Sequence, residues 1–260
     1  MALPKVQGHR PSFVLVHGSW HTGRAWGKVA SLLQSRGYTA RAPTLPGYGA
    51  TRRDCLEYLG RAPLTSKLTL EDGVQFLKGF IDKQDLQHMV LVGHSYGSIY
   101  ASQVAPLVQD RVQQYVGAAG HVLEDGQAFA DLVPEAFMSA QTEAANAHPD
   151  FTSPPNWDLF RSILYTEGSE EEALQAFNTL VGEPVSTWTC KGQHMEEFRA
   201  ATIRKSAIIF KQDQTFGGGQ HYYEMAQLAG AEVLTVDGSH EAVMARPEEF
   251  VEVLLKAVGV

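Results

Sequence analysis

Short apolar runs recur along this chain, and between them apolar residues return every third or fourth position. The first run, Phe13-Val14-Leu15-Val16, shows no alternation and reads as a strand buried on both faces. A helical period follows over 23–35, a second strand over 38–42, and then a loop rich in Pro and Gly over 43–49. The spacing over 69–83 predicts an amphipathic helix, opened by Thr69 with Asp72 three residues on as a reciprocal cap. Further strands are read at 89–92, 113–118, 207–210 and 232–236, and a last helix over 248–258. Strands alternating with helices predict an α/β fold, a mostly parallel six-stranded sheet with helices on both faces.

Between 121 and 203 the alternation stops. That segment holds Pro154-Pro155, Trp157, Trp188 and a helical patch over 170–180, without a convincing strand. We therefore expect a core from 1–120 and 204–260, with 121–203 inserted as a helical cap over the sheet's carboxyl edge. The run Gly217-Gly218-Gly219 reads as a flexible loop, because no Gly-Lys-Ser/Thr follows to make a phosphate cradle.

Composition narrows the function. Apolar residues at 44% and charged residues at 19% describe an ordinary globular chain with ample core. A formal net charge of −8 argues against nucleic acid and against an anionic membrane surface as partners. Cys55 and Cys190 lie far apart with no metal or redox spacing, so a reducing compartment is the default. The first residues, MALPKVQGHRPS, lack an apolar leader core, and no run approaches the ~18 apolar residues of a membrane span. The expectation is a soluble, cytoplasmic protein that meets a small-molecule substrate; a homodimer is left open.

One stretch carries chemistry: MVLVGHSYGSIYASQVA, residues 89–105. Its apolar start is a strand, and from Tyr96 onward Ile99, Val104 and Leu107 with Ala101 and Ala105 fit a helix packed on a sheet. Gly93-His94-Ser95-Tyr96-Gly97 therefore sits where a strand must turn at once into a helix, the setting in which G-x-S-x-G exposes a nucleophilic serine. A Cβ at 93 or 97 would collide with the neighbouring strand or helix. A general base is then expected late in the chain, after a strand, and His240 in Asp237-Gly238-Ser239-His240 has that place. Asp213, just after the strand ending at Phe210, fits the orienting acid, with Glu124, Asp125 and Asp237 as competitors. The oxyanion site needs two backbone N–H groups, expected from Tyr96 and from Ser19 in the loop after the first strand. Gly18, Trp20, His21, His94, Trp157 and Trp188 are the candidate pocket residues. His17 and His21 stand four apart but lack the glutamate of a zinc-protease motif, so neither a metal nor another cofactor is expected.

With His17-Gly18, Gly93-His94-Ser95-Tyr96-Gly97, Asp213 and Gly238-Ser239-His240 in this order, the chain resembles the α/β-hydrolase superfamily over essentially its whole length. It is most similar to the branch of plant methylesterases, hydroxynitrile lyases and their bacterial esterase relatives. That branch carries an H-G-x-x-H loop, matched by His17-Gly18-Ser19-Trp20-His21, and a tryptophan matched by Trp26. Thr22 and Arg24 depart from its usual glycine and tryptophan. The lyases carry a threonine where Gly18 stands and a lysine where Glu241 stands, and both are absent here. The resemblance implies an α/β-hydrolase fold and a serine hydrolase acting on a carboxylic ester or lactone through an acyl-enzyme. A C–C hydrolase, cyclase or lyase on the same fold, or a receptor that retains the triad, stays open. Residues 121–203 hold 14 Asp and Glu against 3 Lys and Arg, alongside nine Phe, Trp and Tyr. A neutral, fairly hydrophobic substrate entering past an acidic rim is expected.

Overall fold

A computed structural model describes residues 10–260, so most of the N-terminal stretch judged above lies outside the described residues. Six strands, β1 (Ser12–Val16), β2 (Thr39–Arg41), β3 (Met89–His94), β4 (Val112–Ala118), β5 (Arg204–Phe210) and β6 (Glu232–Val236), form one sheet. Their order is β2-β1-β3-β4-β5-β6, and every neighbouring pair runs parallel. The α/β-hydrolase fold expected from the sequence is what forms.

Both faces of the sheet are covered, which is why its central strands are continuously apolar. Val14, Val16, Met89 and Leu91 point into one layer with Val74, Leu77 and Ile99. Phe13, Leu15, Val90 and Val92 point into the other with Trp26, Leu33 and Leu254. The helix Leu70–Lys83 starts on the reciprocal cap read from the sequence: Asp72 N–H donates to Thr69 Oγ1 at 3.2 Å, and Thr69 N–H donates to Asp72 Oδ2 at 3.0 Å. The helix read over 23–35 divides into a 3-10 turn, Gly23–Trp26, and an α-helix, Gly27–Ser35.

Two helices had no clear sequence signal. Arg52–Tyr58 opens on charges and buries only Cys55. Gly219–Ala229 begins inside the glycine run, which leads from a turn at Thr215–Gly217 straight into this helix. From β1 the chain passes outward to β2, then back across to β3 on the other side. The carboxyl ends of β1 and β3 thus bound the point where strand order reverses, the usual crevice of open α/β sheets. Between β4 and β5 the chain runs through helices Glu135–Ala147, Glu170–Phe177 and Met195–Ala200 and a π-helical turn at Phe160–Leu164. No ladder forms there, only isolated bridges between Ala128 and Lys191 and between Ser153 and Glu183. Among the described residues no helix is long and apolar enough to cross a membrane.

Candidate active site

Ser95 stands at the turn from β3 into the helix Gly97–Val104, with φ at +51°. A non-glycine residue holds that left-handed conformation only where its surroundings fix it. They do so here: Ser95 N–H donates to Ala118 O at 3.0 Å, and Ser98 N–H donates to Ser95 O at 3.0 Å. The flanking glycines are obligatory for space. A Cβ on Gly93 would lie 2.4 Å from Ser98 Cα, and one on Gly97 would lie 2.3 Å from His17 O. Gly18 allows the β1 loop to approach, since a Cβ there would be 3.0 Å from Ser95 Cβ.

His240 and Asp213 follow β6 and β5, and the parallel sheet brings both to the same edge as Ser95. Ser95 Oγ lies 2.9 Å from His240 Nε2, and His240 Nδ1 lies 2.7 Å from Asp213 Oδ2. An N–H on Nδ1 donates to the carboxylate, which leaves Nε2 free to accept from the serine hydroxyl. The other carboxylate oxygen, Asp213 Oδ1, accepts from Thr215 N–H at 2.8 Å and from Thr215 Oγ1 at 2.6 Å. Tyr222 OH in turn bonds Thr215 Oγ1. Burial alone would raise Asp213, but the His240 charge and these hydrogen bonds outweigh it and hold the carboxyl below its ordinary value. Burial would likewise lower His240, yet the Asp213 charge and hydrogen bond, helped by Glu241, raise the imidazole above its ordinary value.

His17 and His94 are neutral. His17 is held at about 3 by burial, with Nδ1 donating to Gly18 O at 3.0 Å and Nε2 accepting from Leu45 N–H at 3.1 Å. His94, lowered to about 4 by burial, donates from Nε2 to His240 O at 2.8 Å and so fixes the backbone of the His240 loop. His21 donates from Nδ1 to Ser19 O at 2.6 Å, and its Nε2 faces Glu241 Oε2 at 3.4 Å. Among the described residues, one set of possible metal ligands, His94, His240 and Glu241, has ligand atoms within 4.8 Å of one another. Both ring nitrogens of His240 are already engaged by Ser95 and Asp213, so an ion there would break the serine–histidine–aspartate chain.

Above Ser95 opens a cavity of about 450 Å³, within the range of small-molecule sites. Gly18, Ser19, Trp20, His21, His94 and Trp188 line it. Trp157 does not. It packs against Phe160 and Phe177 in a separate apolar cluster with Tyr165 and Ala173, and that cluster takes up its ring. Phe129, Phe137, Leu132, Val133 and Ile163 bring the same segment to the cavity wall, and Phe216 joins them from the β5 side.

The alternative acids lie elsewhere. Asp125 caps the helix Met195–Ala200, accepting from Met195 N–H at 3.0 Å and Glu196 N–H at 2.8 Å. Asp237 is exposed and pairs with Lys211 at 3.3 Å, and Glu124 sits in an exposed turn. Among the described residues, no backbone carbonyl accepts from Ser19 N–H or Tyr96 N–H, the two expected oxyanion donors. The Tyr96 ring turns away, and its hydroxyl donates to Thr187 Oγ1 at 3.0 Å.

A model of the alpha/beta hydrolase family matches residues 13–253. The chain belongs to that family. This alpha/beta hydrolase is 32% identical over 162 residues to a carbendazim hydrolyzing esterase of Nocardioides sp., a match covering 58% of this chain and 63% of that protein. It is 23% identical to methylesterase 7 of Arabidopsis thaliana, over 96% of this chain and 97% of the other. Among solved structures it is similar to an extracellular alpha/beta-hydrolase from a Paenibacillus species, described as sharing structural and functional homology with tobacco salicylic acid binding protein 2. There the TM-score is 0.83 and the identity 25%, over 95% of this chain and 99% of that one.

Three groups of this hydrolase escaped the sequence. Thr215 and Tyr222 stand behind Asp213; the spacing Asp213-Gln214-Thr215 is that of an Asx turn and could have signalled the first. Glu183 had no such signal. It is completely buried, with Oε2 accepting from Trp20 N–H at 2.8 Å and Oε1 from Tyr48 OH at 2.7 Å. Burial pushes its carboxyl up to about 7, against the lowering by those hydrogen bonds. The acidic count of the β4–β5 segment must therefore be corrected, since this glutamate contributes nothing to a surface rim.

Proposed function

We propose that this chain is a serine hydrolase that cleaves a carboxylic ester or lactone of a neutral, fairly hydrophobic small molecule. The observation that carries the proposal is the unbroken chain Asp213–His240–Ser95 at the floor of a largely apolar cavity. His240 takes the Ser95 proton as Oγ attacks the carbonyl carbon, and Asp213 stabilises the imidazolium that forms. The N–H groups of Ser19 and Tyr96 receive the developing oxyanion, a contribution of roughly 3 kcal/mol per donor. The tetrahedral species collapses as His240 returns the proton to the leaving alcohol. Water, deprotonated by His240, then adds to the acyl-enzyme and releases the acid and free Ser95. In this scheme the β4–β5 segment is a cap that excludes water and supplies the apolar wall, and no metal or organic cofactor takes part.

Similarity to an esterase and to a methylesterase supports ester chemistry. The test is hydrolysis of a panel of p-nitrophenyl esters and neutral lactones, with a fluorophosphonate to find the nucleophile by mass spectrometry. Turnover of neutral esters, with the adduct on Ser95, is the expected result. An adduct elsewhere, or turnover undiminished in Ser95→Ala, overturns the proposal.

A further inference from the structure

Trp20 occupies the left-handed region, with φ at +58°, a rare conformation for a bulky side chain. Such backbone persists only where neighbouring groups over-determine it. Three hydrogen bonds do so, and all three partners belong to the β4–β5 segment. Trp20 N–H donates to Glu183 Oε2 at 2.8 Å, Val181 N–H donates to Trp20 O at 2.8 Å, and Trp20 Nε1 donates to Ser153 O at 3.2 Å. Ser153 and Glu183 are themselves locked by a reciprocal pair of backbone bonds, each 2.8 Å. Tyr96, which supplies the other proposed donor, is tied by its hydroxyl to Thr187, four residues beyond Glu183.

We propose that Glu183 is a positioning residue for the oxyanion site, fixing the Ser19–Trp20 peptide so that Ser19 N–H points at the reacting carbonyl. The inference rests on the serine-hydrolase reading above. A carboxylate suits the task because donors reach it from different sides. Trp20 N–H and Tyr48 OH each take one oxygen. A glutamine at this place would offer one acceptor oxygen and turn an amide N–H₂ toward the remaining donor. The buried charge is costly, and in this account it is retained for the geometry it imposes on the loop. The β4–β5 segment then does more than cover the cavity, since the oxyanion donor is aligned only while 181–187 is docked against the β1 loop.

The experiment compares Glu183→Leu, Glu183→Asp and Glu183→Gln with wild type, using p-nitrophenyl butyrate, a trifluoromethyl ketone of matched chain length, and butyrate. The ketone adds Ser95 and places an oxyanion in the site, whereas butyrate reports ground-state binding. Glu183→Leu is expected to lower kcat by about 10- to 100-fold with KM within about threefold, the size of one misaligned oxyanion donor. Affinity for the ketone should fall by the same factor while affinity for butyrate holds, and Glu183→Gln, which keeps one acceptor oxygen, should recover only part of the loss. If Glu183→Leu does not fold, Glu183→Asp, whose carboxylate is drawn back by one methylene, should show the same split. Unchanged kcat in a folded variant whose Ser95 still takes a fluorophosphonate to completion would overturn the inference alone. So would equal losses of ketone and butyrate affinity, the mark of a merely structural role. Failure of the wild type to label at Ser95 would overturn the hydrolase reading as well.

Discussion

The two halves of the site are built in different ways. The proposed proton-transfer half, Ser95, His240 and Asp213, follows the carboxyl ends of three strands of one sheet, so strand register brings the three to one edge. The proposed donor half, Gly18 to Trp20, is a loop whose left-handed Trp20 is held from outside by residues more than 130 positions away. The first half inherits its accuracy from the most regular part of the molecule. The second borrows it from the least regular part, where burial and a few polar contacts replace ladders. An open sheet can present nucleophile, base and acid unaided, but it leaves the oxyanion loop free on one side.

Substitutions that cut the proton-transfer half should have the largest effects. Ser95→Ala is expected to lower kcat by at least ~10³-fold while folding normally, measured in single-turnover ester assays. Asp213→Asn should cost on the order of 10³- to 10⁴-fold, because the imidazole loses the tautomer that leaves Nε2 free. Asp237→Asn, Glu124→Gln and Asp125→Asn should each stay within about threefold, being outside this chain of bonds. The rate should rise with pH through one ionisation above the ordinary imidazole value, since His240 is raised and must be neutral to act. An essential acid other than Asp213 would dissolve the contrast between the halves.

The donor half should reveal itself through stability. Glu183 binds its proton up to about 7 in the folded chain but only to its ordinary value of about 4.5 when unfolded. Between those values the native state holds the extra proton, so stability falls as pH rises across the window. Urea melts of wild type should show that decline, and Glu183→Gln should flatten it. A wild type equally stable at pH 5 and pH 7.5 would remove the buried carboxylate from the account.

Smaller effects test the supports. Thr215→Val removes a hydroxyl donor from Asp213 Oδ1 and the shorter of the two contacts of Tyr222 OH, so a loss of about tenfold in kcat/KM is expected, with the pH limb moved. Smallest of all is discrimination by charge. Matched neutral and carboxylate-bearing esters should differ severalfold at low salt, with the gap narrowing as salt is added. A preference for the anionic ester would contradict the acidic surround.

The same contrast explains what could be read from sequence. Strand positions such as 232–236, the Thr69–Asp72 cap and the G-x-S-x-G turn depend on neighbours in the chain, and periodicity or spacing records them. Asp213 and His240 were legible because strand ends are. Glu183 was not. In Gly182-Glu183-Pro184 it looks like one more solvated acid of an acidic segment, and only its distant partners bury it. Trp157 misled for the same reason, since a tryptophan in an irregular segment announces burial but not which cluster it joins. The helix Gly219–Ala229 hid behind three glycines that argue against helix until the turn before it is known.

The β4–β5 ladder, pairing 114–118 with 204–208, divides the chain so that the nucleophile lies on one side and the base with its acid on the other. Phe151 is a half-exposed left-handed corner lying between the two. A chain severed there would give two pieces, each holding part of the chemistry and none of it complete. Their meeting surface would be a preformed sheet edge together with the Trp20–Glu183 clasp. The architecture is therefore suited to serving as a complementation pair, in which ester turnover returns only when the two fragments are brought together.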